Sequence, residues 1–61
     1  MANLTSKELS ALEDQLSVEQ NLVKKYKLYS QQCTDPQIRT KCEEIASKHQ
    51  SHFSRLLSHL N

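Results

Sequence analysis

A chain of 61 residues with no glycine and a single proline has very few places to turn. Glycine supplies the positive-φ conformations that tight turns and helix ends use, and proline ends or starts helices by removing an amide donor. Here the only strong break is Thr34, Asp35 and Pro36. Asp35 suits an N-cap and Pro36 suits the first position of a helix, where its missing amide costs nothing. On both sides of that break Leu, Gln, Glu, Lys and Ser dominate, which is helix composition. Two helices joined by a short connection are therefore the expectation.

The first helix has a clear start. In Leu4-Thr5-Ser6-Lys7-Glu8-Leu9, Thr5 can accept from the amide of Glu8 while Glu8 reaches back to the amide of Thr5. Leu4 and Leu9 occupy the two positions of a hydrophobic staple. An apolar stripe then runs through Leu9, Leu12, Leu16, Val23, Tyr26 and Cys33 in helical steps, interrupted at Glu19 and Ser30. Val18, Leu22 and Tyr29 widen it. The second stripe runs through Ile38, Cys42, Ile45, His49, His52, Leu56 and Leu60, flanked by Ala46, Phe53 and Leu57.

The predicted fold class is all-α: one domain over 1–61, an antiparallel hairpin with a helix over about 6–33, a turn at 34–35 and a helix over about 36–60. Helices of about 25 to 28 residues are roughly 37 to 42 Å long. Two such helices cannot cover each other's wide stripes, and a chain this short is marginal alone. Docking two hairpins into a four-helix bundle solves both problems, so a two-fold homodimer is expected.

Three polar residues stand on these stripes where a core should be apolar. Glu19 is about 15 residues before the turn, and His49 and His52 are about 15 and 17 after it, so the hairpin brings them within about one helical turn in height. His49 and His52, at i and i+3, share a face. Such groups avoid burial unless paired or ligated. Carboxylate oxygen and imidazole nitrogen suit a divalent transition metal such as iron, zinc or manganese. A two-fold axis would add a second set of all three. The alternative is that both imidazoles sit at the stripe margin with one nitrogen in water, and that Glu19 lies over a lysine stem. Tyr26 reads as a core aromatic with its hydroxyl at the rim, and His59 as an exposed residue near the chain end.

Other classes find little support. A formal charge of +1 gives no reason to propose nucleic acid or an anionic membrane, and Lys24, Lys25 and Lys27 read as a solvated face. No apolar run approaches the roughly 20 residues that span a bilayer. The N-terminus lacks the apolar core of a signal peptide, so a complete, non-exported, soluble chain is expected. Cys33 and Cys42 would stand about six residues apart in height, ~9 Å, too far for a disulfide, and are expected as reduced, buried thiols. No nucleophile is paired with a base and there is no phosphate-cradling glycine loop, which points away from an enzyme.

Several stretches together resemble the small spore coat protein F-like proteins of spore-forming bacteria. They are Glu13-Asp14, Glu19-Gln20, Lys24-Lys25-Tyr26, the Cys33-Thr34-Asp35-Pro36 turn, Lys48-His49-Gln50 with His52, and Leu56-Leu57-Ser58-His59-Leu60. The likeness runs from about Leu4 to Asn61 and rests on their combined order and spacing, no single motif being diagnostic. That family is similar in turn to the ferritin-like superfamily, whose pattern is a Glu on one helix and Glu-x-x-His on the next, repeated around a di-metal centre. The resemblance places Glu19 at the single-Glu position and His52 at the His position. His49 takes the place of the second Glu. That departure removes the bridging carboxylate of di-iron oxygen chemistry and counts against ferroxidase or oxidase activity even where a metal binds. The resemblance implies a ferritin-like bundle, a structural, cytoplasmic or spore-associated role, and spore coat proteins as partners. A minimal half-ferritin acting in metal storage or redox chemistry is the alternative, and a plain module pairing with a different helical chain is a third.

Overall fold

The computed structural model describes residues 4–60. Helix α1 spans Ser6–Gln32 and α2 spans Pro36–Leu57, followed by a 3₁₀ turn at Ser58–Leu60. No strand occurs among the described residues. Residues 1–3 and Asn61, which belong to the expected 1–61 domain, lie outside the described residues.

The start of α1 is the expected capping box. Thr5 Oγ1 accepts from the Glu8 amide at 3.1 Å, and the Thr5 amide donates to Glu8 Oε1 at 3.0 Å. This exchange satisfies two amides at or before the helix start that have no helical partner. It also holds the Glu8 carboxyl below its ordinary range, because the ionised form accepts the bond from Thr5. At α2, Asp35 Oδ1 accepts from the amides of Gln37 at 2.8 Å and Ile38 at 3.4 Å, with Pro36 in the first turn. A further tie closes the connection: Arg39 Nη2 donates to the Cys33 carbonyl at 2.7 Å.

Both expected helix ends move inward. Cys33 is the C-cap of α1, with extended backbone at φ −81° and ψ 131°, so the connection is Cys33 to Asp35. Its amide still donates to the Tyr29 carbonyl at 2.9 Å. The α-helical part of α2 stops at Leu57, not near residue 60. There the Ser58 hydroxyl donates to the Arg55 carbonyl at 2.6 Å, and the chain tightens into a 3₁₀ turn, a common way to satisfy terminal carbonyls.

The helices pack side by side into a body 46 Å long and 16 by 11 Å across. Contact between Glu19 and His49, 30 residues apart, shows the antiparallel pairing. The buried core is small: Val23, Cys42 and Ala46, together with Glu19 and Ser30. Ser30 is only 8% exposed, so the apparent interruption of the stripe is part of the core. Its hydroxyl donates to the Lys27 carbonyl at 2.8 Å, which lets a small polar residue sit there without a stranded group.

Among the described residues no large side chain is completely buried. Leu12, Leu16, Leu22 and Leu56 are half-covered, while Leu9, Val18, Tyr29 and Ile38 are exposed, Ile38 at 53%. Leu9 and Ile38 were expected in the stripes, but each stands near the end of its helix, where the other covers little. Both cysteines are free; Cys42 is buried, whereas Cys33 is half-buried in the connection, its thiol 3.5 Å from the Asp35 carbonyl. The lysines at 24, 25 and 27 are exposed, and Lys25 Nζ lies 5.8 Å and 5.7 Å from the ring centres of Tyr26 and Tyr29. No described helix is long and apolar enough to cross a membrane.

Candidate metal centre

Midway along the hairpin the two helices bring Glu19, His49 and His52 together. One donor atom from each falls within 4.8 Å of the others, a spacing that can hold a metal ion. Glu19 is 7% exposed and faces α2 because it continues the spacing of Leu12, Leu16 and Tyr26. His49 does the same from α2, in register with Cys42 and Leu56. His52 differs. It lies one turn on at the edge of the stripe, and its side chain is 51% exposed. The expectation that all three face the core is therefore corrected for His52, since a three-residue step rotates it by about 60° from His49.

The carboxylate is well satisfied. His49 Nδ1 lies 2.7 Å from Glu19 Oε2, and His52 Nδ1 lies 3.6 Å from the same oxygen. Gln15 Nε2 donates to Glu19 Oε1 at 3.2 Å. An ionised carboxylate can only accept, so His49 Nδ1 is the donor in the short bond. That bond holds the Glu19 carboxyl below its ordinary value of 4.5, outweighing burial, which acts the other way; the His49 charge, Gln15 and the His52 charge assist.

Other rings flank the His49 imidazole. Tyr26 lies nearly parallel to His49, with ring centres 6.3 Å apart and planes at 17°. His52 meets His49 edge-on at 5.8 Å and 82°, and Tyr29 meets Tyr26 edge-on at 5.8 Å. His59 is exposed, as expected from its place near the chain end.

This donor set fits a transition metal. Zinc bonds to imidazole nitrogen and carboxylate oxygen at about 2.0–2.2 Å in tetrahedral geometry, which places donors roughly 3.4 Å apart around the ion. The spacings of 2.7 and 3.6 Å from Glu19 Oε2 lie on either side of that figure, while the three donors together span up to 4.8 Å, so the side chains would have to draw in around an ion. Metal binding through His49 Nδ1 would replace the proton now shared with Glu19. Three protein donors also leave coordination positions open.

Two contributors escaped the sequence reading. Gln15 precedes Glu19 by four residues, a spacing at which helix side chains meet, so its bond was open to inference. The second is a cleft of about 270 Å3 beside Glu19 and His52, walled also by Arg55 and His59. Helix spacing groups its residues on each helix, but not across the two. No protein-family model, curated protein or solved structure matches the chain.

Proposed function

We propose that the chain is a non-enzymatic helical hairpin of the spore coat type. It pairs with a second copy into a ferritin-like four-helix bundle and holds a divalent transition metal on Glu19, His49 and His52. The observation that carries the metal is the convergence of three donor atoms within 4.8 Å, on residues that would otherwise interrupt an apolar contact. Pairing is supported by the thin core: among the described residues no large side chain is completely buried, and Val18, Tyr29 and Ile38 stay open to solvent. A second copy would cover them with the same kind of face.

A spore-associated structural role rests on the likeness of Glu19-Gln20, Lys48-His49-Gln50 and the Cys33–Pro36 turn to small spore coat proteins. Coat proteins would then be its further partners. The half-ferritin reading, in metal storage or redox chemistry, draws on the open coordination positions. His49 standing where the family carries a glutamate weighs against it.

The test is the metal content of protein purified without an affinity tag, joined to its mass by sedimentation equilibrium at micromolar concentration. Bound iron, zinc or manganese on a species of twice the 7.1 kDa chain mass supports the proposal. A well-folded, metal-free monomer that takes up none of these ions overturns it. Ferrous-iron oxidation by the loaded protein would move the reading to the half-ferritin alternative.

A further inference from the structure

The cleft beside Glu19 and His52 has a lining that holding a metal does not require. Its walls are Gln15, Glu19, His52, Arg55, Leu56 and His59. Two of the three metal donors are among them, so the cleft opens directly from the candidate centre. Arg55 stands one turn beyond His52 on α2, at the i+3 position. Among the described residues its guanidinium makes no ion pair. Gln15, Arg55, Leu56 and His59 lie farther along their helices from the turn than Glu19 and His52 do, away from Tyr29 and Ile38.

The charges decide what such a space would take. A divalent ion with the Glu19 carboxylate leaves one net positive charge at the centre, and Arg55 adds another. A small cleft bordered by two positive charges and few negative ones favours an anion. The open coordination position calls for an oxygen or nitrogen donor, and the planar guanidinium matches a carboxylate fork. Leu56 offers an apolar wall against which a short alkyl group can rest. A volume of about 270 Å3 has room for a small molecule with its waters.

We propose that this cleft binds a small free carboxylate, which ligates the metal held by Glu19, His49 and His52 and pairs with Arg55. The proposal rests on the metal reading, and its test separates the two. Cobalt(II) is added to the full chain and followed by its visible absorption, which reports both loading and exchange of the open ligand. Acetate and, separately, neutral imidazole are then titrated into wild type, Arg55→Lys and Arg55→Gln. All three are checked for helix content by circular dichroism; Arg55 is exposed, so the helix tolerates the changes.

Acetate should shift the cobalt spectrum saturably in wild type. Arg55→Gln should weaken acetate about ten- to a hundredfold, the range of a lost charge-assisted bond. Arg55→Lys, which keeps the charge but not the fork, should fall between them. Imidazole, which needs no cation, should bind all three alike. Cobalt binding with no response to acetate overturns the carboxylate cleft and leaves the metal site standing. Equal acetate affinity in the three proteins overturns the role of Arg55. Failure of cobalt to bind overturns the metal reading and this proposal with it.

Discussion

Adding metal to the stripped protein gives the sharpest test of the centre, because the expected effect is large for so short a chain. A ligand that binds only the folded state at a hundred times its Kd stabilises by about 2.7 kcal/mol. Unfolding entropy of about 2.1 cal/mol/K per residue gives a 61-residue chain roughly 0.13 kcal/mol/K near its midpoint. One metal per chain should therefore raise Tm by about 20 °C, and one metal shared by two chains by about 10 °C per the same arithmetic. Thermal melts by circular dichroism, with zinc, ferrous iron and manganese at fixed excess, read this directly. Zinc should fall short of the full value, since Cys33 and Cys42 also bind it once the chain unfolds. Manganese, which favours oxygen over thiolate, is the cleaner probe of the folded site.

Variants separate the metal from ordinary stability. His52→Ala should abolish the metal-induced rise while leaving the metal-free melt nearly unchanged, because His52 is half-exposed and 3.6 Å from Glu19. Glu19→Ala should abolish the rise and also lower the metal-free Tm, since it strands His49 and Gln15. Binding should weaken in acid as protons compete for the imidazole nitrogens. Melts unmoved by all three ions, or an equal rise in His52→Ala, would refute the ligand assignment.

Leu16→Ala or Leu56→Ala should cost about 2 kcal/mol in an isolated hairpin, the low end for core leucines because each is only half-covered, and more at concentrations where the proposed dimer would form; a concentration series of melts checks this. Thr5→Ala should remove the capping box at about 1 kcal/mol, read from denaturant midpoints. Lys7→Ala and Gln32→Ala, both exposed, should leave those midpoints within about 0.5 kcal/mol of wild type. The lowered Glu19 carboxyl gives a pH signature: its stabilisation is fully present above the ordinary value of 4.5 and is lost as pH falls below it through the folded-state value. Glu19→Gln should flatten that acid limb of the Tm–pH curve, and a limb of unchanged steepness would contradict the pairing with His49.

The hairpin was legible because its signals are local. Thr5 with Glu8, and Asp35 with Pro36, each set a helix start through bonds spanning three residues or fewer. Meeting of Glu19 with His49 was legible for a different reason: with one turn and two long helices, equal distance from the turn means equal height. What the pattern could not supply is rotation about each helix axis. It placed His52 inside, whereas the second helix turns this residue to the edge. It also read Ser30 as a break, although its bond to the Lys27 carbonyl makes it a core residue. His52, Arg55 and His59 share one flank of the second helix by their spacing of three and seven residues, and the packing of α1 on α2 adds Gln15 and Glu19 to the same cleft.

Thin packing and the polar centre bear on each other. A hairpin whose only buried apolar side chains among the described residues are Val23, Cys42 and Ala46 has little hydrophobic stabilisation to offset the burial of a carboxylate. Glu19 is tolerated because His49 and Gln15 satisfy it, so the metal-free protein already uses the centre as a structural clasp between the helices. A metal taking the place of the shared proton would tighten the same clasp rather than build a new one. Its effect on stability and its effect on helix pairing should then rise together. If metal raises Tm while the Tyr26–His49 contact, followed by the ring signals of Tyr26 in NMR spectra, stays unperturbed, the ion is bound elsewhere on the chain.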